Sequence, residues 1–467
     1  MHDPMSDCDS LLECFPPCFR WGVATSALQI EGAAARDQRG PCIWDQFCRR
    51  PGAIADGSNA DTACDHVRRY RDDVRLMSSL GLGAYRFSIS WPRVMPTGQG
   101  RVNPTGLDFY DALVDELLTA GIEPVATLYH WDLPQSLQEE MTGWLHDDLP
   151  LLFADYAQLI FDRLGDRVTS WITINEPWCI VDGGYFNGAH PPGLTDRRAG
   201  YRAAHNLLRA HAYAVARYRS SRYNTGQITF ALNTHYSFAH SNDPQDRDAA
   251  QRAMLNFAGW FADPAHFGDY PAVLRERLGD LLPVFSTGDQ TLLAGSMDYV
   301  ALNYYLSDVI RHAPGRGEME YEPVAQPHRL HTEMGWPVVP DGLTHILLWL
   351  HERYDQLPIH VTENGAAFAD HPDDTGRVND PQRITYLRDH LHAVAGALER
   401  GVDVRGYHVW TLMDNFEWSH GYTKKFGIVR CDFDTLERTI KQSGHWYADL
   451  VRRHRQLTAQ RPVEETA

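Results

Sequence analysis

Glu176 closes the run Trp171-Ile172-Thr173-Ile174-Asn175, and Pro177 directly after it forbids a regular β-ladder from continuing. Glu363 closes a similar run, Ile359-His360-Val361-Thr362, and Asn364-Gly365 breaks the chain just beyond it. Two carboxyl groups at two strand ends can share the work of cleaving a glycosidic bond. One, with a raised pKa, protonates the leaving oxygen, and the other works ionised. Either Glu alone reads equally well as a solvated loop residue or an ion-pair partner; their matched contexts favour chemistry. A third segment, Trp410-Thr411-Leu412-Met413-Asp414-Asn415-Phe416-Glu417-Trp418, sets indoles beside a carboxylate. Trp can cover the C–H face of a sugar while a carboxylate accepts two of its hydroxyls. The plainer alternative makes Trp410 and Trp418 core aromatics beneath a loop. His130-Trp131-Asp132 repeats the theme, since an imidazole and an indole can hold another hydroxyl edge.

These residues need a frame. Strand-like runs are predicted at 20–25, 84–89, 124–128, 170–175, 227–233, 299–303, 359–363 and 406–410. Helices are predicted at 65–80, 107–120, 151–164, 201–220, 342–354 and 381–400; in the first, Val67, Tyr70, Val74 and Met77 recur at helical spacing. Strand, helix, strand, repeated, implies parallel pairing with right-handed crossovers. Eight such units fit a single (β/α)8 TIM barrel. No Gly-x-Gly-x-x-Gly follows a strand, which removes the usual reason to prefer a dinucleotide fold. The segments 32–59, 178–200, 243–279 and 312–340, rich in Gly, Pro and Asp, read as long βα loops over the C-terminal rim, where barrels place their catalytic groups. Residues 1–18 read as a flexible lead-in, 19–450 as one catalytic barrel and 451–467 as a tail.

Composition narrows the function. The chain has 467 residues and a net charge of −18, which argues against non-specific binding to nucleic acid or anionic lipid. No run of 18 apolar residues occurs, so no membrane-spanning helix is expected. Thirteen Trp and 21 Tyr exceed ordinary core needs and point to a pocket lined with flat faces. Eight cysteines are too few for a disulfide scaffold of this length. Cys8, Cys14 and Cys18 form no Cys-x-x-Cys pair, so no metal is expected there and reduced thiols are the default. The first 20 residues lack a basic start, an apolar stretch and a small-residue cleavage site, the pattern of a cytoplasmic protein. A homo-oligomer is compatible with all of this.

The segment Phe19-Arg20-Trp21-Gly22-Val23-Ala24-Thr25-Ser26-Ala27-Leu28-Gln29-Ile30-Glu31-Gly32 resembles the N-terminal signature of glycoside hydrolase family 1, the retaining β-glucosidases. Thr173-Ile174-Asn175-Glu176-Pro177 and Val361-Thr362-Glu363-Asn364-Gly365 are similar to its acid/base and nucleophile motifs, and the likeness runs from about Phe19 to Tyr447. The resemblance implies Glu363 as nucleophile and Glu176 as general acid/base. It implies Gln29, His130, Trp131, Asn175, Glu417 and Trp418 as the grip on the sugar, with Trp410 stacked under its ring. Asn303 and Tyr305 would sit near the nucleophile, Tyr305 donating to Glu363, while Trp336 would flank the aglycone and Phe426 the pocket. Retention would need carboxyl groups roughly 5 Å apart and neither metal nor cofactor. The implied partner is a small carbohydrate. A phospho-β-glycosidase is disfavoured because Glu417 and Phe426 depart from the phosphate pattern, although Lys424 is present, and a carboxylate at 417 would repel a dianion. Glu176 argues against a thioglucosidase, and both glutamates argue against an inactive sugar-binding barrel; a transglycosidase shares every residue. The chain leaves the family pattern at Asp182-Gly183, where two bulky apolar residues are usual, so a wider aglycone entrance is expected unless a neighbouring loop residue fills it.

Overall fold

Ala84–Ser88, Ser170–Asn175 and Ile359–Asn364 are buried at every position, the mark of strands covered on both faces. A computed structural model of the protein describes residues 6–460. In it, β1 (Arg20–Ala24), β2 (Ala84–Ser88), β3 (Glu123–Tyr129), β4 (Ser170–Asn175), β5 (Gln227–Asn233), β6 (Val300–Asn303), β7 (Ile359–Asn364) and β8 (Val404–Trp410) close into a barrel. Every neighbouring pair is parallel, and β8 returns to β1 with Trp21 opposite Tyr407. The expected (β/α)8 barrel is therefore what forms. Val125, Ile172, Ala231, Tyr299 and Ala301 make a cluster of their own, distinct from the main core that the helices and strands share.

Register breaks fall where the two glutamates stand. The β4–β5 pairing shifts between Ile172 and Asn175, the β6–β7 pairing between Val361 and Glu363, and the β7–β8 pairing between Val361 and Asn364. Such irregularities re-aim a side chain at a barrel rim.

The helices lie close to their expected spans: His66–Ser79, Pro104–Thr119, Leu149–Leu164, Arg197–Ser220, Pro340–Arg353 and Pro381–Leu398. Pro104, Pro340 and Pro381 open theirs, where the missing N–H has no helical partner to lose.

Four expectations need correction. The lead-in forms a helix over Ser6–Glu13, and Leu11, Leu12 and Phe15 enter the core. The boundary drawn at 450 falls inside a helix, Gln442–Ala459, which packs on β1 and β8: the Tyr447 hydroxyl donates to Gly22 O at 3.2 Å, and Trp21 Nε1 donates to His454 Nδ1 at 3.1 Å. The segment 243–279 is largely helical (Pro244–Met254, Trp260–Phe267, Ala272–Leu278), its short stretches hiding the periodicity. The segment 312–340 contributes Tyr321–Pro323 to a small sheet with Asp308–His312 and, from the chain after β5, Ser237–Ala239. Among the described residues no helix is long and apolar enough to cross a membrane.

Candidate active site

β4 ends in Asn175, and Glu176 follows it in the left-handed region (φ 48°, ψ 66°) as N-cap of the short helix Pro177–Val181. A non-glycine residue is held there only when its surroundings demand it. Asn303, the last residue of β6, supplies part of that demand: its Nδ2 donates to Glu176 Oε1 at 2.7 Å, and Thr362 donates to its Oδ1 at 2.8 Å. On β7, Glu363 accepts a hydrogen bond from the Tyr305 hydroxyl at 2.5 Å and pairs with the Arg86 guanidinium. Arg86 rises from β2, is itself buried, and reaches Asn175 Oδ1 with its second nitrogen at 2.6 Å. One guanidinium thus ties the two strand ends together.

Electrostatics separates the glutamates. Burial, then the charge of Glu363, pushes the Glu176 carboxyl up to about 7. Burial also raises Glu363, but Arg86, and hydrogen bonds from Tyr305, Arg86 and Asn303, oppose it. Contact with a permanent cation makes Glu363 the one that ionises first, leaving a proton on Glu176 near neutrality.

Beside the pair lies a cluster of rings and polar side chains. Asn175 Nδ2 donates to His130 Nε2 at 3.0 Å, which leaves His130 Nδ1, without a partner among the described residues, as the imidazole's free donor. Burial holds His130 neutral, well below its ordinary pKa. The Trp131 indole donates to Asn175 O at 2.9 Å. Trp418 packs against Trp131 at a tilt, 4.4 Å between centroids, and the His130 ring lies 5.9 Å from those of both Trp410 and Trp418. Gln29 Nε2 donates to Asn415 Oδ1 at 3.0 Å, to Phe416 O at 2.9 Å and more weakly to Glu417 Oε2 at 3.5 Å. Burial and the charges of Glu363 and Glu176 push Glu417 up to about 8. Trp410 and Phe426 pack together with Tyr305 and Trp336 on the other side.

A model of glycosyl hydrolase family 1 matches residues 11–456. β-Glucosidase A of Thermotoga maritima is 42% identical over 94% of this chain and 98% of its own, and β-glucosidase A of Acetivibrio thermocellus is 43% identical over the same shares. Among solved structures, the family 1 β-glucosidase from T. maritima superposes with a TM-score of 0.90 at 42% identity, covering 94% of this chain and 98% of that one. The T. maritima enzyme in complex with glucoimidazole gives 0.90 at the same identity, with 94% and 99% covered. The chain belongs to glycosyl hydrolase family 1.

In this family 1 chain all thirteen residues singled out from sequence converge on one site. Trp410 and Trp418 are buried, as the core reading has it, and their rings also lie beside His130 in the cluster around the two glutamates. Two contributors went unassigned in the sequence. Arg86 is one; its only local signal is a cation inside an apolar strand. Cys179 is the other: its thiol donates to Glu176 from one helical turn further on, a spacing visible only once Pro177 is known to open a helix. The repulsion expected from Glu417 toward a phosphate is weaker than an ionised carboxylate would give, because burial keeps that carboxyl protonated near neutrality. The opening expected at Asp182-Gly183 is occupied on the Gly183 side: a Cβ there would lie 2.4 Å from His190 Nδ1. The His190 ring packs 5.1 Å from Trp44 and 5.5 Å from Trp131. Asp182 accepts from Asn187 Nδ2 at 2.9 Å.

Proposed function

We propose that this family 1 enzyme is a β-glucosidase that releases terminal non-reducing β-D-glucosyl residues by double displacement. The observation that carries the reading is the asymmetric pair: Glu176 raised to about 7 by burial and by Glu363, with Glu363 braced by Arg86 and Tyr305. Protonated Glu176 gives its proton to the departing oxygen while Glu363 attacks the anomeric carbon. Esterification removes the Glu363 charge and with it one cause of the raised Glu176 pKa. Glu176 then ionises more readily and takes the proton of the incoming water. Two inversions at one carbon retain configuration. In this reading Gln29, His130, Trp131, Asn175, Glu417 and Trp418 hold the glycone over Trp410, and Trp336 and Phe426 border the way out.

The relatives' names, β-glucosidase and 1,4-β-D-glucan glucohydrolase, support short cello-oligosaccharides and aryl glucosides as substrates. β-Galactosides and β-fucosides belong to the same proposal, as do a cytoplasmic setting and a part in cellulose breakdown. The test is hydrolysis of p-nitrophenyl β-D-glucoside, the galactoside, the fucoside and cellobiose, with the first-formed sugar followed by NMR. β-Glucose as the first product supports the reading. α-Glucose first, or turnover confined to 6-phosphorylated glycosides, overturns it.

A further inference from the structure

Cys64 lies just before the helix His66–Ser79, and Cys431 ends the strand Val429–Cys431; the glycosidic chemistry uses neither. Tertiary contacts bring these distant positions together. Cys64 Sγ donates to Asp414 O at 3.3 Å, and Asp414 N donates to Val429 O at 2.9 Å, which sets the Val429–Cys431 strand against Cys64. That strand pairs antiparallel with Arg438–Ile440, placing Cys431 opposite Arg438. Arg438 Nη2 in turn donates to Cys64 O at 2.6 Å, while its Nε reaches Asp73 at 2.9 Å. The two thiols are buried, and each lies close enough to the other to perturb its ionisation.

We propose that Cys64 and Cys431 form an oxidative modification site, closing to an intrachain disulfide on exposure to a hydroperoxide. Cys431 is the attacking sulfur. The neighbouring Cys64 thiol and the Arg438 charge favour its thiolate, whereas burial pushes the Cys64 thiol well up. The Cys431 thiolate attacks the peroxide oxygen, giving a sulfenic acid and hydroxide. The Cys64 thiol then displaces that oxygen as water, forming the S–S bond. Two thiols are oxidised by two electrons and one hydrogen peroxide is reduced to two waters. The bond would staple the first barrel unit to the last, restraining the unfolded chain across most of its length. It would also remove the S–H that Asp414 O accepts, on the segment that carries Glu417 and Trp418.

The test begins with the unaltered protein, treated with hydrogen peroxide or with a phosphine reductant, then alkylated and digested with trypsin under non-reducing conditions. The peptides bearing Cys64 and Cys431 are expected as one cross-linked species, two hydrogen atoms lighter than their sum, which reduction separates. The apparent melting midpoint is expected to rise after peroxide treatment, and Cys431→Ser and Cys64→Ala should each abolish that rise. Recovery of both cysteines as separate alkylated or sulfinic peptides overturns the proposal. So does a midpoint rise that persists in either variant.

Discussion

Glu176 and Glu363 are the same residue type held by different neighbours, and that difference is testable. Glu363→Ala is expected to abolish turnover of every substrate. Glu176→Ala should spare glycosides with good leaving groups, stall at the glycosyl-enzyme, and recover with azide, which needs no base and yields the β-glycosyl azide. Equal loss in both variants without rescue overturns the role assignment. Because kcat/KM requires a proton on Glu176, it should fall about tenfold per pH unit above about 7; a flat profile from about pH 6 to 9 removes the assignment. Arg86→Met would leave Glu363 buried beside no cation. Breaking a buried pair costs about 3–5 kcal/mol, and if that cost falls on the reacting state kcat/KM is expected to drop roughly 10²–10⁴-fold, with the acid limb of the pH profile moved upward. An unshifted acid limb would show that Arg86 does no more than pack.

At the scale of elements, backbone closeness does what side chains alone do not. Gly365 follows the Glu363-Asn364 strand end, and a Cβ there would sit 1.8 Å from Trp410 O. The β7 exit therefore passes against the end of β8, which brings Glu363 and Trp410 into one site. Gly365→Ala must push the two apart; a stability loss of about 1–3 kcal/mol with a far larger loss of kcat is expected from chemical denaturation and kinetics together. At the entrance, Gly183→Leu cannot be accommodated while His190 stays on Trp131. Its KM for octyl glucoside should therefore rise. A several-fold fall would mean that His190 moves aside freely and that the entrance is open after all.

Across the whole molecule, burial sets how stability responds to pH. Glu176 is raised to about 7, and Asp132 and Glu417 to about 8, mainly by desolvation. An acid whose folded pKa is raised stabilises the fold below its unfolded pKa and loses that contribution as pH climbs through the folded value. Buried histidines work in the opposite direction. His190, His205 and His390 fall to about 4 and His211 and His408 to about 3, chiefly by desolvation, so the unfolded chain takes up protons below about 6.5 that the native state refuses. The melting midpoint is expected to peak near pH 6.5 and to decline toward 8 because of the acids and toward 4 because of the histidines. Glu417→Gln should flatten the alkaline decline, as scanning calorimetry across that range would measure. An unchanged alkaline slope places that cost on other groups.

The eight strands, six of the helices and the rim position of both glutamates were legible because each depends on local chemistry: apolar runs of strand length, helical spacing, and Pro177 or Asn364-Gly365 as terminators. The helix Ser6–Glu13 escaped notice because two turns in an acidic, Pro-containing stretch are too short to show a period, and only docking of Leu11, Leu12 and Phe15 makes them worth forming. The pocket residues assigned to sugar binding were legible through family resemblance, not spacing. What tertiary structure alone decided is who meets whom. Arg86 finds Glu363 across 277 residues, and Cys64 finds Cys431 from the far end of the chain. His190 folds onto Gly183, and Glu176 becomes an acid poised near neutrality. Residue type sets which groups can ionise or donate; only the packed barrel sets how much water they lose and which charge stands beside them, and those two quantities make two identical glutamates unlike.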